Sequence, residues 1–221
     1  MNVDSSIRSW HVFRKSRIKR VYKLLRLYLI LNAVKRSIVL LLFGLTKRLI
    51  VDGTILPVAN VNRARTHRIK RFGGKSFWVK RKRRLYSPHY RKQIEFEELH
   101  YGVLVIFLCD EDGIIYDIWF TSGSRHEVRA LRERKEKSLW TNWLLDTFEV
   151  LGDKGYRGME EMKVTDRKEL RRARQIVESL IGGTKGFGYS RWRKGITLLA
   201  YLYGFALGFS YLREVNRMLA A

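Results

Sequence analysis

Three carboxylates stand out by their setting: Asp52, Asp153 and Glu178. Asp52 follows the apolar run Leu49-Ile50-Val51, and Asp153 follows Val150-Leu151-Gly152. Both are therefore expected at strand ends, where a sheet offers side chains to a ligand. Gly53 and Gly155 stand close behind them and leave room for backbone or substrate. Glu178 lies late in a cation-rich helical segment and shares one face with Arg171 and Arg174. Alone, that trio reads as helix ion pairing, worth a few tenths of a kcal/mol. Beside two strand-end aspartates it also reads as a carboxylate facing a metal, with the arginines facing phosphates. Hard oxygen ligands suit Mg²⁺ or Mn²⁺. A pair of such ions, about 3.5–4 Å apart, clamps the attacking and leaving oxygens of an in-line phosphoryl displacement.

Other chemistries have less support. One cysteine and five scattered histidines give no zinc-ligand spacing. The glycine-rich stretch Gly182-Gly183-Thr184-Lys185-Gly186-Phe187-Gly188 lacks phosphate-loop spacing, and no nucleophile elbow is present. The lone Cys109 sits in Val103-Leu104-Val105-Ile106-Phe107-Leu108-Cys109, a run expected as a buried strand, so it reads as a core thiol.

The charge balance names a partner class. With 45 Lys and Arg against 21 Asp and Glu, the net charge is +24. Such an excess opposes compaction unless a polyanion neutralises it, and nucleic acid is the usual one. Residues 60–92 concentrate the effect, with Lys80-Arg81-Lys82-Arg83-Arg84 at their centre and Phe72, Phe77, Trp78, Tyr86 and Tyr90 interleaved. Cation and ring together suit a DNA backbone and unstacked bases, though a solvated basic hairpin would read similarly. Ile196 to Leu212 is uncharged for 17 residues. That is near the lower limit for a membrane span, but a buried helix against a sheet is the preferred reading.

Residues 1–47 are expected to form a basic helical region, a candidate DNA-binding element. Val21, Leu24, Leu25, Tyr28 and Leu31 recur at three and four, opposite Lys19, Arg20, Lys23 and Arg26. Residues 48–221 form the second region. It starts with a strand over 48–54 that Asp52-Gly53 turns, then a hairpin over 100–121 closed by Asp110-Glu111-Asp112-Gly113. A helix over 125–137 and a strand over 147–151 follow. A helix over 166–181, stopped by Gly182-Gly183, and an apolar helix over 191–219 complete the order. Antiparallel neighbours first and strand–helix alternation later imply an α/β fold, a mixed sheet flanked by helices.

At this point the residues resemble a family. Val51-Asp52-Gly53-Thr54, the opening Tyr101-Gly102, Phe120-Thr121-Ser122-Gly123-Ser124-Arg125-His126-Glu127 and Leu151-Gly152-Asp153-Lys154-Gly155-Tyr156 look like the bacterial insertion-sequence DDE transposases. Arg174, Glu178 and Lys185 match the spaced Arg–Glu–Lys signature around their third acid, although Arg171 stands where a tyrosine is expected. The resemblance runs from about residue 48 to 210. It implies an RNase H-like domain with Asp52 on the first, central strand, Asp153 after the fourth and Glu178 on the helix beyond. It further implies two Mg²⁺ or Mn²⁺ ions, hydrolysis at the ends of an insertion element, and attack of a 3′-OH on target DNA. Arg174 and Lys185 would contact phosphates, and His126 could approach the site or simply begin a helix. The implied partners are double-stranded DNA with terminal inverted repeats, target DNA and a second copy of the chain. The implied setting is the nucleoid of a prokaryotic cytoplasm. The alternative is a non-catalytic basic nucleic-acid-binding protein, a degenerate copy of such an enzyme.

Overall fold

The computed structural model describes residues 3–42, 48–59, 78–160, 162–164, 175–183 and 195–220. Helix α1 (Val3–Leu42) leads into strand β1 (Leu49–Ala59), then β2 (Trp78–Ser87), β3 (Lys92–Asp110) and β4 (Ile115–Ser122). Helices α2 (Glu127–Lys137) and α3 (Leu139–Thr147) precede β5 (Val150–Gly152), a 3₁₀ turn (Lys154–Tyr156) and β6 (Met162–Val164). A helix over 175–183, α4, and a long helix α5 (Gly195–Ala220) follow.

The sheet is mixed. β3 runs antiparallel to β1, β2 and β4, while β5 is parallel to both β1 and β6. Tyr101 is paired with Ala59 on one side and Trp78 on the other, so β4 and β2 succeed one another along the same edge of β3. Among the described residues β2 thus pairs only with the N-terminal extension of β3. The five strands left, in the order β4-β3-β1-β5-β6, form the central sheet.

Two apolar layers cover this sheet, which is why β3 from Tyr101 to Cys109 reads as a near-continuous apolar run and is buried on both faces. On one face Ile50, Leu56, Val103, Val105 and Phe107 meet α1, α4 and α5 through Leu29, Val177, Leu180, Leu198 and Leu202. On the other, Leu49, Val51, Leu104, Ile106 and Leu108 meet α2 and α3 through Val128, Leu131, Leu144 and Leu145. Cys109 is a buried core thiol, and burial pushes its pKa up.

Charge pairs fasten the helices. Asp110, fully buried, accepts hydrogen bonds from Arg36 Nε at 2.9 Å, from the backbone N–H of Asp112 and Ile114, and from the Tyr116 hydroxyl. Asp112 takes Arg36 and Arg217 on one oxygen, so α1, α5 and the β3–β4 turn are tied at one end of the sheet. Asp117 accepts from both Nε and Nη2 of Arg134 and from Thr141 Oγ1 at 2.7 Å, which ties β4 to α2 and α3. Ser138 caps α3 by accepting from the Thr141 N–H.

Several expectations are corrected. Asp52-Gly53 does not turn the chain: Gly53 pairs with Ile106, and β1 continues to Ala59 because β3 is long enough to template it. Asp52 therefore stands inside a strand. Residues 139–147 form α3, so the strand expected from 147 starts at Val150. Gly182 and Gly183 remain helical. On α1, Leu29, Ala33 and Leu40 are buried, while Val21, Leu24, Tyr28, Leu31, Ile38 and Leu42 form an exposed stripe at three-and-four spacing. Among the described residues no helix is long and apolar enough to cross a membrane.

Candidate active site

Register brings the two aspartates together. Leu49 of β1 pairs with Val150 of β5, and Asp52 and Asp153 each stand three residues beyond that pair. Asp52 lies within β1 and Asp153 directly follows β5, two strands whose axes lie about 4.8 Å apart where they pair. The β1–β5 pairing extends only over Leu49–Ile50 and Val150–Leu151. Beyond it β5 gives way to the 3₁₀ turn, leaving a notch beside β1 at the C-terminal end of β5. Asp52 pairs with Phe107 and shares its face, so it approaches the notch from the side of α1, α4 and α5. Its Oδ1 accepts the Gly53 N–H at 2.7 Å. Asp153 Oδ1 accepts the Gly155 N–H at 2.7 Å, a local Asx turn that fixes the carboxylate at the start of the 3₁₀ turn.

A third carboxylate enters from the opposite face. Glu127, in the first turn of α2, has Oε1 3.0 Å from the point a Cβ on Gly53 would occupy. A Cβ on Gly155 would lie 2.8 Å from Asp153 Oδ1 and 3.6 Å from Glu127 Oε2, so those two oxygens flank the same point. Beneath them lies Tyr156, fully buried, with a hydroxyl that makes no hydrogen bond of normal geometry. Burial raises its pKa, and the negative charges of Glu127, Asp52 and Asp153 raise it further. The phenol is held neutral.

No described contact brings Glu178 to this group. It is exposed on α4. Two residues before it, Ile176 comes within 2.7 Å of where a Cβ on Gly113 would be, and Ser179 accepts from Arg213 at 3.5 Å. Gly113 belongs to the β3–β4 turn, at the end of the sheet where β1 begins. Asp52 is three residues further along, roughly 10 Å at strand rise. No described contact links Glu178 to either aspartate. Arg171, Arg174 and Lys185 lie outside the described residues. So do the side chains of Arg81, Lys82, Arg83 and Arg84, whose backbone forms β2; Lys80 there is exposed, with Glu97 at 3.6 Å.

His126 directly precedes α2, is exposed, and lines a cavity of about 620 Å³ with Arg129, Arg132, Arg157, Glu133 and Glu136. Glu133 is held by Arg125 at 2.7 Å and by Arg129 at 3.4 Å. Arg132 reaches the Gly158 carbonyl, which joins α2 to the turn after β5. His126 and Val128 of its lining flank Glu127 in sequence. Glu127 closes the motif that begins at Phe120, but sequence reasoning gives it no role; its signal is an acid in a helix's first turn, directly after the third central strand. Among the described residues no group of three or more His, Cys, Asp or Glu is gathered closely enough to hold a metal ion. Carboxylate oxygen, the donor type of Asp52 and Asp153, is the kind that hard divalent cations take. Compared with protein-family models, curated proteins and solved structures, the chain matches none.

Proposed function

We propose that this α/β protein is a DNA transposase with an RNase H-like catalytic domain, cutting and joining DNA at the ends of an insertion element. One observation carries the reading: Asp52 in β1 and Asp153 just after β5 each lie three residues beyond the paired Leu49 and Val150, where β5 leaves β1. Of the five central strands, β1 is first and central and β5 is fourth. That agrees with the positions the family resemblance implies for these two acids. Mg²⁺ or Mn²⁺, when bound there, would supply positive charge to the attacking and leaving oxygens of a phosphodiester.

The chain's own groups do the remaining work. Asp52 and Asp153 hold hard cations, and the Asx turn at Gly155 keeps the second carboxylate in place. The basic cavity beside α2 takes phosphates of the bound strand through Arg129, Arg132 and Arg157. The excess of +24 supports duplex DNA as the ligand. Joining two ends calls for a pair of chains, and the apolar stripe of α1 is open to a second copy.

The position of Glu178 favours a second reading, a non-catalytic basic nucleic-acid-binding protein. Metal-dependent cleavage of duplex DNA carrying the element's ends separates the two. Cleavage that Asp153→Asn abolishes supports the transposase; salt-sensitive binding with no metal-dependent cleavage supports the second.

A further inference from the structure

We infer that α1 is one half of a two-stranded coiled coil, paired along its outer stripe with α1 of a second copy of this chain. Such a pairing supplies an interface for the two chains invoked above, yet it rests on α1 and not on the chemistry of Asp52 and Asp153.

The helix has two apolar faces. Leu29, Ala33 and Leu40 are buried against the domain, and Arg36 on that side holds Asp110 and Asp112. The outer face is apolar as well, and its spacing is regular. Val21, Tyr28, Lys35 and Leu42 recur every seven residues, and Leu24, Leu31 and Ile38 follow the first three of them by three. In a heptad lettered a to g these are the a and d positions of three successive repeats. The six apolar members are each about half exposed or more, from 48% at Val21 to 77% at Leu42. Leu27 at g and Val39 at e shoulder them and are also exposed. A surface helix needs one apolar stripe to hold it to its domain. A second stripe that keeps a 3.5-residue repeat is the seam of a coiled coil.

The extent of the seam fits a dimer. Its eight apolar side chains, each exposing roughly 100 Å², present on the order of 800 Å², one side of a standard interface. Folded monomers rarely leave so large an apolar patch open. From Val21 to Leu42 the seam is about 32 Å long at helical rise.

The charge pattern says which partner. Between Arg17 and Leu42 the helix carries seven Lys and Arg and no Asp or Glu. A surface made for DNA would carry these cations on its exposed face. Here Lys19, Lys23, Arg26 and Arg36 fall at f, c, f and b, away from the seam, and from Val21 onward Lys35 alone lies in it. One polar residue at an a position fixes register and strand number in a coiled coil, at a cost in stability.

The test is sedimentation equilibrium of the nuclease-treated full chain, without DNA, in about 0.15 M and about 1 M salt. A dimer is expected in both, held a few-fold more tightly at high salt, because salt screens the repulsion between two basic helices. Leu24→Gln combined with Leu31→Gln should weaken association about a hundredfold or more, since each dimer loses four seam leucines. Lys35→Leu should tighten it about tenfold. Leu139→Gln, which removes an exposed apolar side chain on α3, should leave association unchanged. Both seam leucines are exposed, so the double variant should keep the circular dichroism of the parent; if it does not fold, Lys35→Leu carries the test. A wild-type chain that stays monomeric at about 100 μM would overturn the inference. So would parent-like affinity in the double variant or in Lys35→Leu, or a dimer that dissolves at high salt, the mark of bridging nucleic acid. Cleavage is scored separately: a chain that dimerises as expected and cuts no DNA sinks the transposase reading and leaves this interface standing, and one that cuts DNA but fails to dimerise does the reverse.

Discussion

Replacing Arg36 by methionine should cost about 3 kcal/mol of folding stability. Arg36 donates through Nε to Asp110 at 2.9 Å and through Nη2 to Asp112 at 2.6 Å. The Asp110 side chain is 0% exposed and that of Arg36 only 15%. Removing one partner of a buried pair leaves an uncompensated charge, at about 3–5 kcal/mol. Asp110 keeps the backbone N–H groups of Asp112 and Ile114 and the Tyr116 hydroxyl, which puts the loss at the lower end. Methionine retains much of the aliphatic stem, so the loss is chiefly electrostatic. In urea unfolding with a slope of about 3 kcal/mol/M, the midpoint should fall by about 1 M. Asp110→Asn in the same background should cost clearly less than it does alone, because the two residues are coupled. A midpoint change under about 0.3 M, or strict additivity, would refute the idea that this pair clamps α1 to the β3–β4 turn.

Three other outcomes follow from the same geometry. A Cβ on Gly102 would sit 2.6 Å from the Leu56 carbonyl oxygen, so Gly102→Ala should lower stability by about 1–3 kcal/mol as β1 and β3 move apart; an unchanged melting temperature would count against the register. Burial raises the pKa of Tyr101, Tyr116, Tyr156 and Tyr203, so folding keeps these phenols protonated. Their contribution is complete below the unfolded value of about 10 and is lost as pH rises above it; melting temperatures should fall from pH 9 to 11, and less steeply in Tyr116→Phe. Replacing Arg132 and Arg157 together by alanine should flatten the dependence of DNA affinity on salt by roughly two units of slope, about 0.9 for each phosphate no longer neutralised; an unchanged slope would remove the cavity from the DNA path.

The legible parts of the fold were those written in local pattern. The run from Val103 to Cys109, the Asp110–Gly113 turn and the strand after it gave the β3–β4 hairpin, and the observed pairing follows that outline. The extent of β1 was not legible: Asp-Gly is a strong turn signal, and only pairing to distant Ile106 and Val105 keeps Gly53 and Thr54 in the strand. α3 escaped because Leu139-Trp140-Thr141-Asn142-Trp143-Leu144-Leu145 mixes apolar faces in nine residues of helix, too short for a clear period.

The candidate site divides in the same way. Asp52 and Asp153 were visible as acids beside apolar strands and glycines. That each lies three residues past a paired residue depends on the register Leu49↔Val150, which joins segments a hundred residues apart. Glu127 was hidden because its approach to Gly53 and Gly155 comes from α2 crossing the far face of the sheet, a tertiary fact. Glu178 is legible only from its spacing to Arg174, and spacing along a helix does not say what the helix faces.

The central claim is most directly tested by incubating the purified full chain with Mg²⁺ and a labelled duplex bearing the inverted repeats that flank its reading frame. The expected result is cleavage at the repeat end that needs the metal and disappears in Asp52→Asn and Asp153→Asn, while both variants still bind the duplex. Binding without metal-dependent cleavage, or cleavage that survives both substitutions, would contradict it.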